Sequence, residues 1–162
     1  MKKLFILGLL ISLNACKGTA QNDKQEQFPV SKTEAEWKAE LTDAEYQVLR
    51  KEGTERAFSS ELLNIKEEGT YVCAACQNPV FKSSTKFDSG TGWPSFYDYI
   101  EGNVEFSSDN KLGYTRTEEH CANCGGHLGH VFNDGPKPTG KRHCINGVAL
   151  NFVPKIILNI KL

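Results

Sequence analysis

No apolar run in this 162-residue sequence reaches the ~20 residues that a helix needs to cross a bilayer. The apolar stretch from Leu4 to Leu13 is only ten residues long, so it cannot span unaided. Net charge is nearly absent too. Nineteen Lys and Arg stand against twenty Asp and Glu, a formal charge of -1, which removes any bulk electrostatic reason to expect nucleic acid or an anionic membrane surface as a partner. Cysteine is scarce, with six in all, and each can therefore be accounted for individually. What remains is ordinary globular material: 39% hydrophobic and 10% aromatic residues in a length that suits one domain.

The first sixteen residues stand apart. Lys2 and Lys3 form a basic start, Leu4 to Leu13 an apolar core, and Leu13-Asn14-Ala15-Cys16 resembles a bacterial lipobox, although Asn14 is a less usual occupant of its position. That ending implies a signal peptide over 1–15, cleavage before Cys16 and lipid on Cys16. Lys17 to Phe28 is polar, so 16–30 reads as a lipidated flexible tether and 31–162 as the folded domain. The expected address is the cell envelope, as a periplasmic or outer-membrane lipoprotein held through its lipid alone.

Ser31 with Glu34, and Thr42 with Glu45, are spaced as two capping boxes, which predicts two short helices before Gly53. Glu55 and Arg56 read as a surface pair. From Tyr71 onward, short apolar runs alternate with Gly, Asn, Asp, Ser and Pro, the texture of strands and loops. Strands are expected at 70–72, 79–83, 104–109, 113–118, 131–133, 143–145 and 148–153, with 155–162 either a strand or a packed tail. The fold class is mainly β.

Cys73-Ala74-Ala75-Cys76 and Cys121-Ala122-Asn123-Cys124 are two Cys-x-x-Cys pairs. Four thiolates from two such knuckles can close a tetrahedral Zn²⁺ site, structural because every position is filled. A disulfide within either pair would be strained or redox-active. A Cys₂His₂ arrangement using His127 and His130 fails on spacing and strands Cys73 and Cys76.

One cysteine of the domain is left. If the chain from Arg142 is extended, Arg142, Cys144 and Asn146 share a face while His143 and Ile145 take the other. A cation beside the thiol favours thiolate, the nucleophilic form; the competing reading is a small core residue. His127 and His130, in a glycine-rich segment after the second knuckle, can move protons near neutral pH. Trp93, fixed by Pro94 after Gly90-Thr91-Gly92, and Phe132 can wall an apolar pocket, or simply cap the core.

Taken together, Gly53-Thr54-Glu55-Arg56, the two Cys pairs, Gly92-Trp93-Pro94-Ser95-Phe96, the run from Gly125 to Pro136 and Arg142-His143-Cys144-Ile145-Asn146 resemble the B family of methionine sulfoxide reductases, specific for the R epimer. The resemblance implies two antiparallel sheets with short N-terminal helices, and zinc on Cys73, Cys76, Cys121 and Cys124. It also implies a catalytic Cys144, with Trp93, His127, His130, Phe132, Arg142 and Asn146 around the substrate. The chemistry the resemblance implies is attack of Cys144 on the sulfoxide sulfur of methionine sulfoxide, free or in a protein, which leaves Cys144 as a sulfenic acid. Many members carry a resolving cysteine where this chain has Thr91. Here regeneration must use an external thiol, such as that of a thioredoxin-like protein, or a cysteine borrowed from elsewhere, and the protein is expected to be a monomer. Two rivals remain in view: a zinc-ribbon-like binding module with no chemistry, and a thiol peroxidase, against which the apolar walls argue.

Overall fold

The structure, a computed structural model, describes residues 28–156. The predicted signal peptide, Cys16, the tether up to residue 27 and the chain from 157 onward lie outside the described residues.

Two helices come first, α1 (Glu34–Glu40) and α2 (Asp43–Leu49), each opened by a capping box, Thr33 with Glu36 and Thr42 with Glu45. The second box is the one expected. The first forms two residues later than Ser31, because the Val30 amide donates to the Asn123 carbonyl at 2.8 Å and holds the preceding chain against the second Cys knuckle. Trp37, Tyr46, Val48 and Leu49 turn inward, and the Leu49 side chain lies against Gly126.

The remainder is two antiparallel sheets, as expected. β1 (Gly69–Cys73), β2 (Pro79–Lys82) and β9 (Leu150–Pro154) form one in the order β2-β1-β9. β3 (Lys86–Phe87), β4 (Ser95–Phe96), β5 (Val104–Asp109), β6 (Arg116–Cys121), β7 (His127–Phe132) and β8 (Arg142–Ile145) form the other in the order β3-β4-β8-β7-β6-β5. Three expectations change. β6 starts at Arg116 rather than 113, because Gly113, at φ +80°, lies in the hairpin turn. β7 starts at His127, so the two histidines sit on a strand and not in a loop. The last strand, expected from 148, starts at Leu150, because Gly147–Ala149 makes a 3₁₀ turn before β9.

Core side chains fill the space between the sheets. Phe81 stacks on Phe96 with centroids 4.4 Å apart, and Tyr71 meets Phe96 edge-on at 5.0 Å. A polar pair is buried among them: Glu119 lies 2.6 Å from His143 Nδ1, on the face of the sheet opposite Cys144. Such a pair gains its attraction only by giving up hydration, so its geometry matters more than its charge.

β7 and β8 approach unusually closely at Gly129, where a Cβ would stand 2.1 Å from the Cys144 carbonyl oxygen. Only glycine fits. Gly129→Ala should therefore force the strands apart and cost about 3 kcal/mol, at the upper end for overpacking. Urea titration should show the loss as a lower midpoint; an alanine variant as stable as the wild type would contradict this packing.

Candidate functional site

The register of the six-stranded sheet lines up one row of side chains, Ser107, Glu118, His130, Cys144 and Ser95, each opposite the next on β5, β6, β7, β8 and β4. Residues directly opposite on antiparallel strands share a face. Two residues along, Asp109 faces Arg116 and Phe132 faces Arg142, so a second polar and aromatic rank borders the first. On β8, burial alternates as the sequence requires: Arg142 and Cys144 are half-buried, while His143 and Ile145 are buried.

Cys144 touches Thr91, whose hydroxyl lies 3.9 Å from Sγ. Burial pushes its thiol above the ordinary range, and this outweighs the lowering effects of the Thr91 hydroxyl and of Arg142. Arg142 does favour the thiolate, as expected, but burial prevails over it. Arg142 is nearby, but Asp134 holds its guanidinium at 2.9 and 2.8 Å, and its Cζ sits 4.5 Å from the Phe132 ring centre. Cys144 in the free protein is chiefly a thiol.

His130 Nε2 is 2.9 Å from the Asp109 carboxylate. That carboxyl is pushed down to about 2 by the Lys111 amide first, then by His130 and, against the effect of its burial, by Arg116. His130 itself lies below its ordinary value, chiefly through burial, so it is neutral at pH 7. Neutral imidazole against a carboxylate must donate from Nε2, which leaves Nδ1 as a lone-pair acceptor. His127 is held differently: Nδ1 is 2.6 Å from Glu118, and Nε2 is buried with no partner among the protein atoms. Burial is the largest influence on Glu118 and raises it, but His127, Ser107 and His120 together bring the net shift downward.

Asn146 is locked rather than free. Its Oδ1 accepts from the Glu55 amide at 3.0 Å and its Nδ2 donates to the Leu128 carbonyl at 3.0 Å. Glu55 is the residue that sequence reasoning missed. Besides that amide, its carbonyl accepts from Trp93 Nε1 at 3.2 Å, and its carboxylate accepts from the Gly147 and Val148 amides. It ties the Trp93 turn, Asn146 and the 3₁₀ turn into one unit. No local signal in Gly53-Thr54-Glu55-Arg56 announces this, since every partner lies more than thirty residues away. Phe58 closes the same region, 71% exposed at φ 63°, with its ring against Gly92.

The other cysteines gather elsewhere. Cys73 ends β1 and Cys121 ends β6, so the two knuckles are turns of hairpins belonging to different sheets. All four sulfurs lie within 4.8 Å of one another, with Cys73 to Cys124 at 3.7 Å and Cys76 to Cys121 at 3.6 Å. Both knuckles turn on a left-handed residue just after the second cysteine, Gln77 at φ 60° and Gly125 at φ 67°. This cluster could hold a metal ion, and it takes neither histidine.

Fold and site together define a two-sheet β domain that carries a four-thiol centre and, apart from it, one half-buried cysteine on a polar strand row. The SelR domain family matches residues 41–154, and the chain belongs to that family. Similar proteins include the peptide methionine sulfoxide reductase MsrB of Methanosarcina barkeri, 57% identical over 127 residues, which are 78% of this chain and 89% of that one. Proteins of the same name from Leptospira interrogans and Agrobacterium fabrum are each 52% identical over 126 residues, 77% of this chain and 96% and 93% of theirs.

Asp109 offers a test of the row's electrostatics. Its folded pKa lies below the ordinary carboxyl value of about 3.9, so its stabilisation is present above that value and is lost as pH falls toward 2. Asp109→Asn should therefore be less stable than the wild type at pH 7, and the gap should close between about pH 4 and pH 2. Urea midpoints across that range check it; a gap independent of pH would show that the carboxylate's charge contributes nothing.

Proposed function

We infer that this protein is a peptide-methionine (R)-S-oxide reductase, which reduces methionine (R)-sulfoxide, free or in proteins, to methionine. The observation that carries the reading is the register placing Cys144 directly opposite His130 in a chain of this family. A thiol on its own is a weak nucleophile at neutral pH, and a neutral histidine with one free lone pair is the base such a thiol needs. Cys144 gives up its proton and attacks the sulfoxide sulfur, while the oxygen takes up a proton from His130 or His127. The sulfur–sulfur bond formed in the attack and the substrate's sulfur–oxygen bond then both break as the hydroxyl passes to the Cys144 sulfur, so that methionine leaves and Cys144 is left as a sulfenic acid. Two external thiols then return it to the thiol, releasing water and a disulfide. Trp93 and Phe132 wall the methyl-bearing end of the substrate, and Arg142 supplies positive charge at the mouth. Asn146 acts from behind, by fixing the turn that follows Cys144.

The four-thiol centre fits Zn²⁺. Four thiolates at about 2.3 Å from one zinc lie about 3.8 Å from each other, close to the 3.6 and 3.7 Å separations between the knuckles. Bound there, zinc supplies a cross-link between hairpins of the two sheets and no step of the reaction. We also place the protein in the cell envelope through lipid on Cys16, on the strength of Leu13-Asn14-Ala15-Cys16. Among the described residues, no helix is long and apolar enough to cross a membrane.

Two substitutions separate the roles of the cysteines. Cys144→Ser should abolish reduction of the R epimer while leaving melting temperature and zinc content unchanged. Cys124→Ser should lose zinc and fold cooperativity together, since metal binding at such a site is folding free energy. An active Cys144→Ser enzyme would sink the proposal, as would a Cys144→Ser protein that simply unfolds in place of a wild type without reductase activity. Recycling has its own check. After one turnover without reductant, the protein should take up one dimedone-type probe at Cys144 and keep the other four domain thiols reduced; loss of two thiols with no probe uptake would make a knuckle cysteine the resolver.

A further inference from the structure

Three hydroxyls run from the core to Cys144. Ser95, fully buried on β4, lies 2.7 Å from Ser89, Ser89 lies 2.8 Å from Thr91, and Thr91 lies 3.9 Å from the Cys144 sulfur, at the long end for a hydroxyl–sulfur hydrogen bond. The inner end is fixed, because Ser95 also reaches the Trp93 carbonyl at 3.1 Å. The outer turn is pinned by the Gly90 amide on Asp88 and by the Thr91 amide on Ser89.

Each hydroxyl has one hydrogen, and that fixes the polarity of the whole chain. When Ser95 donates to the Trp93 carbonyl, Ser89 must donate to Ser95 and Thr91 to Ser89. Thr91 then has only a lone pair to offer sulfur, which suits Cys144 as a thiol. The reverse polarity has Ser95 donating to Ser89, Ser89 to Thr91 and Thr91 to sulfur, which suits a thiolate and releases the Trp93 carbonyl. Because the inner end is a carbonyl and not a second base, the chain cannot carry a proton away. It can only reorient.

We propose that Thr91 is a positioning residue for the reductase reaction: its hydroxyl, turned by the Ser89–Ser95 chain, donates to the Cys144 thiolate and stabilises the nucleophile that burial alone would suppress. This rests on the reading of Cys144 as the nucleophile. The Thr91 hydrogen bond is the largest influence lowering the Cys144 thiol, ahead of the Arg142 charge. Hydrogen bonds to an ionised acceptor are roughly twice as strong as neutral ones, so the gain at sulfur can exceed the loss of the Ser95 bond to the Trp93 carbonyl. The other charged and titratable groups around Cys144 are Arg142 on its own strand, His130 on β7 with Asp109 behind it on β5, and Glu118 and Glu119 on β6. Among the described residues, none of them is hydrogen-bonded to the three hydroxyls.

The test is the pH profile of Cys144 alkylation by iodoacetamide in the zinc-loaded protein, read by mass spectrometry of the Cys144 peptide. It needs no sulfoxide, so its failure is distinct from failure of the reductase reading, which the Cys144→Ser assay decides. Thr91→Val keeps the shape and removes the hydroxyl. It should slow alkylation about tenfold at pH 7, which corresponds to a rise of one pH unit in the profile. Thr91→Ser should restore the wild-type profile. Ser95→Ala should move it the other way, toward faster alkylation, because the thiolate polarity no longer costs the bond to the Trp93 carbonyl. A Thr91→Val profile superimposable on the wild type would overturn the proposal. So would a Thr91→Ser variant that behaves like Thr91→Val, or a Ser95→Ala variant slowed in the same sense as Thr91→Val, since either outcome marks a packing role.

Discussion

The site depends on how β7 lies on β8. Gly129 lets the two strands close to the point where no side chain fits between them, and that contact puts His130 opposite Cys144 and Phe132 opposite Arg142. A slip of one residue would turn every one of these groups to the other face, because the side-chain period of a strand is two. The strands cannot slip freely. β7 starts three residues after Cys124, whose carbonyl accepts from Arg50, and α2 packs Leu49 against Gly126 at the same point. The second knuckle thus sets the phase of β7 from one end, while Glu55 holds the turn after β8 from the other.

This arrangement explains why two cysteine populations coexist without mixing. The four knuckle thiols belong to hairpin ends where the two sheets meet, and Cys144 lies mid-row on the larger sheet. Cross-linking segments so far apart in sequence restricts the unfolded chain far more than a local clip would. With a metal bound there, a domain of this size with short strands would gain from such a constraint, and Cys144 would stay outside it.

The parts legible in the sequence were those with local causes. The Cys-x-x-Cys pairs, the capping box at Thr42 and the alternation through Arg142 and Cys144 each follow from spacing within a few residues. What could not be read was long-range pairing. Glu118 and Glu119 are neighbours in an acidic run, yet one serves His127 on the open face and the other His143 in the core. Strand alternation separates them, but it does not say which histidine each will meet. Glu55 looked like half of a surface pair for the same reason. The histidines of β7 looked like loop residues because Gly125, Gly126 and Gly129 suggested irregular chain, whereas Gly129 is there to bring two regular strands close together.

The electrostatics of Cys144 follow from a conflict the fold does not remove. In the proposed reaction, partial burial of Cys144 suits the methyl-bearing end of a thioether oxide, but the same burial opposes a thiolate. Arg142 answers this only in part: it lowers the Cys144 thiol, while Asp134 holds its guanidinium and its Cζ lies over the Phe132 ring. Neutral groups are left to do the rest. His130 is uncharged with Nδ1 open, and so can accept a proton when substrate arrives rather than beforehand, while Asp109 keeps its ring oriented. A thiol that ionises only under those conditions is a poorer target for stray oxidants than a standing thiolate, because susceptibility to oxidation follows thiolate character and exposure. On the proposed mechanism, with the other four cysteines among the described residues gathered in a cluster that could hold a metal, that restraint would limit overoxidation of Cys144 between turnovers.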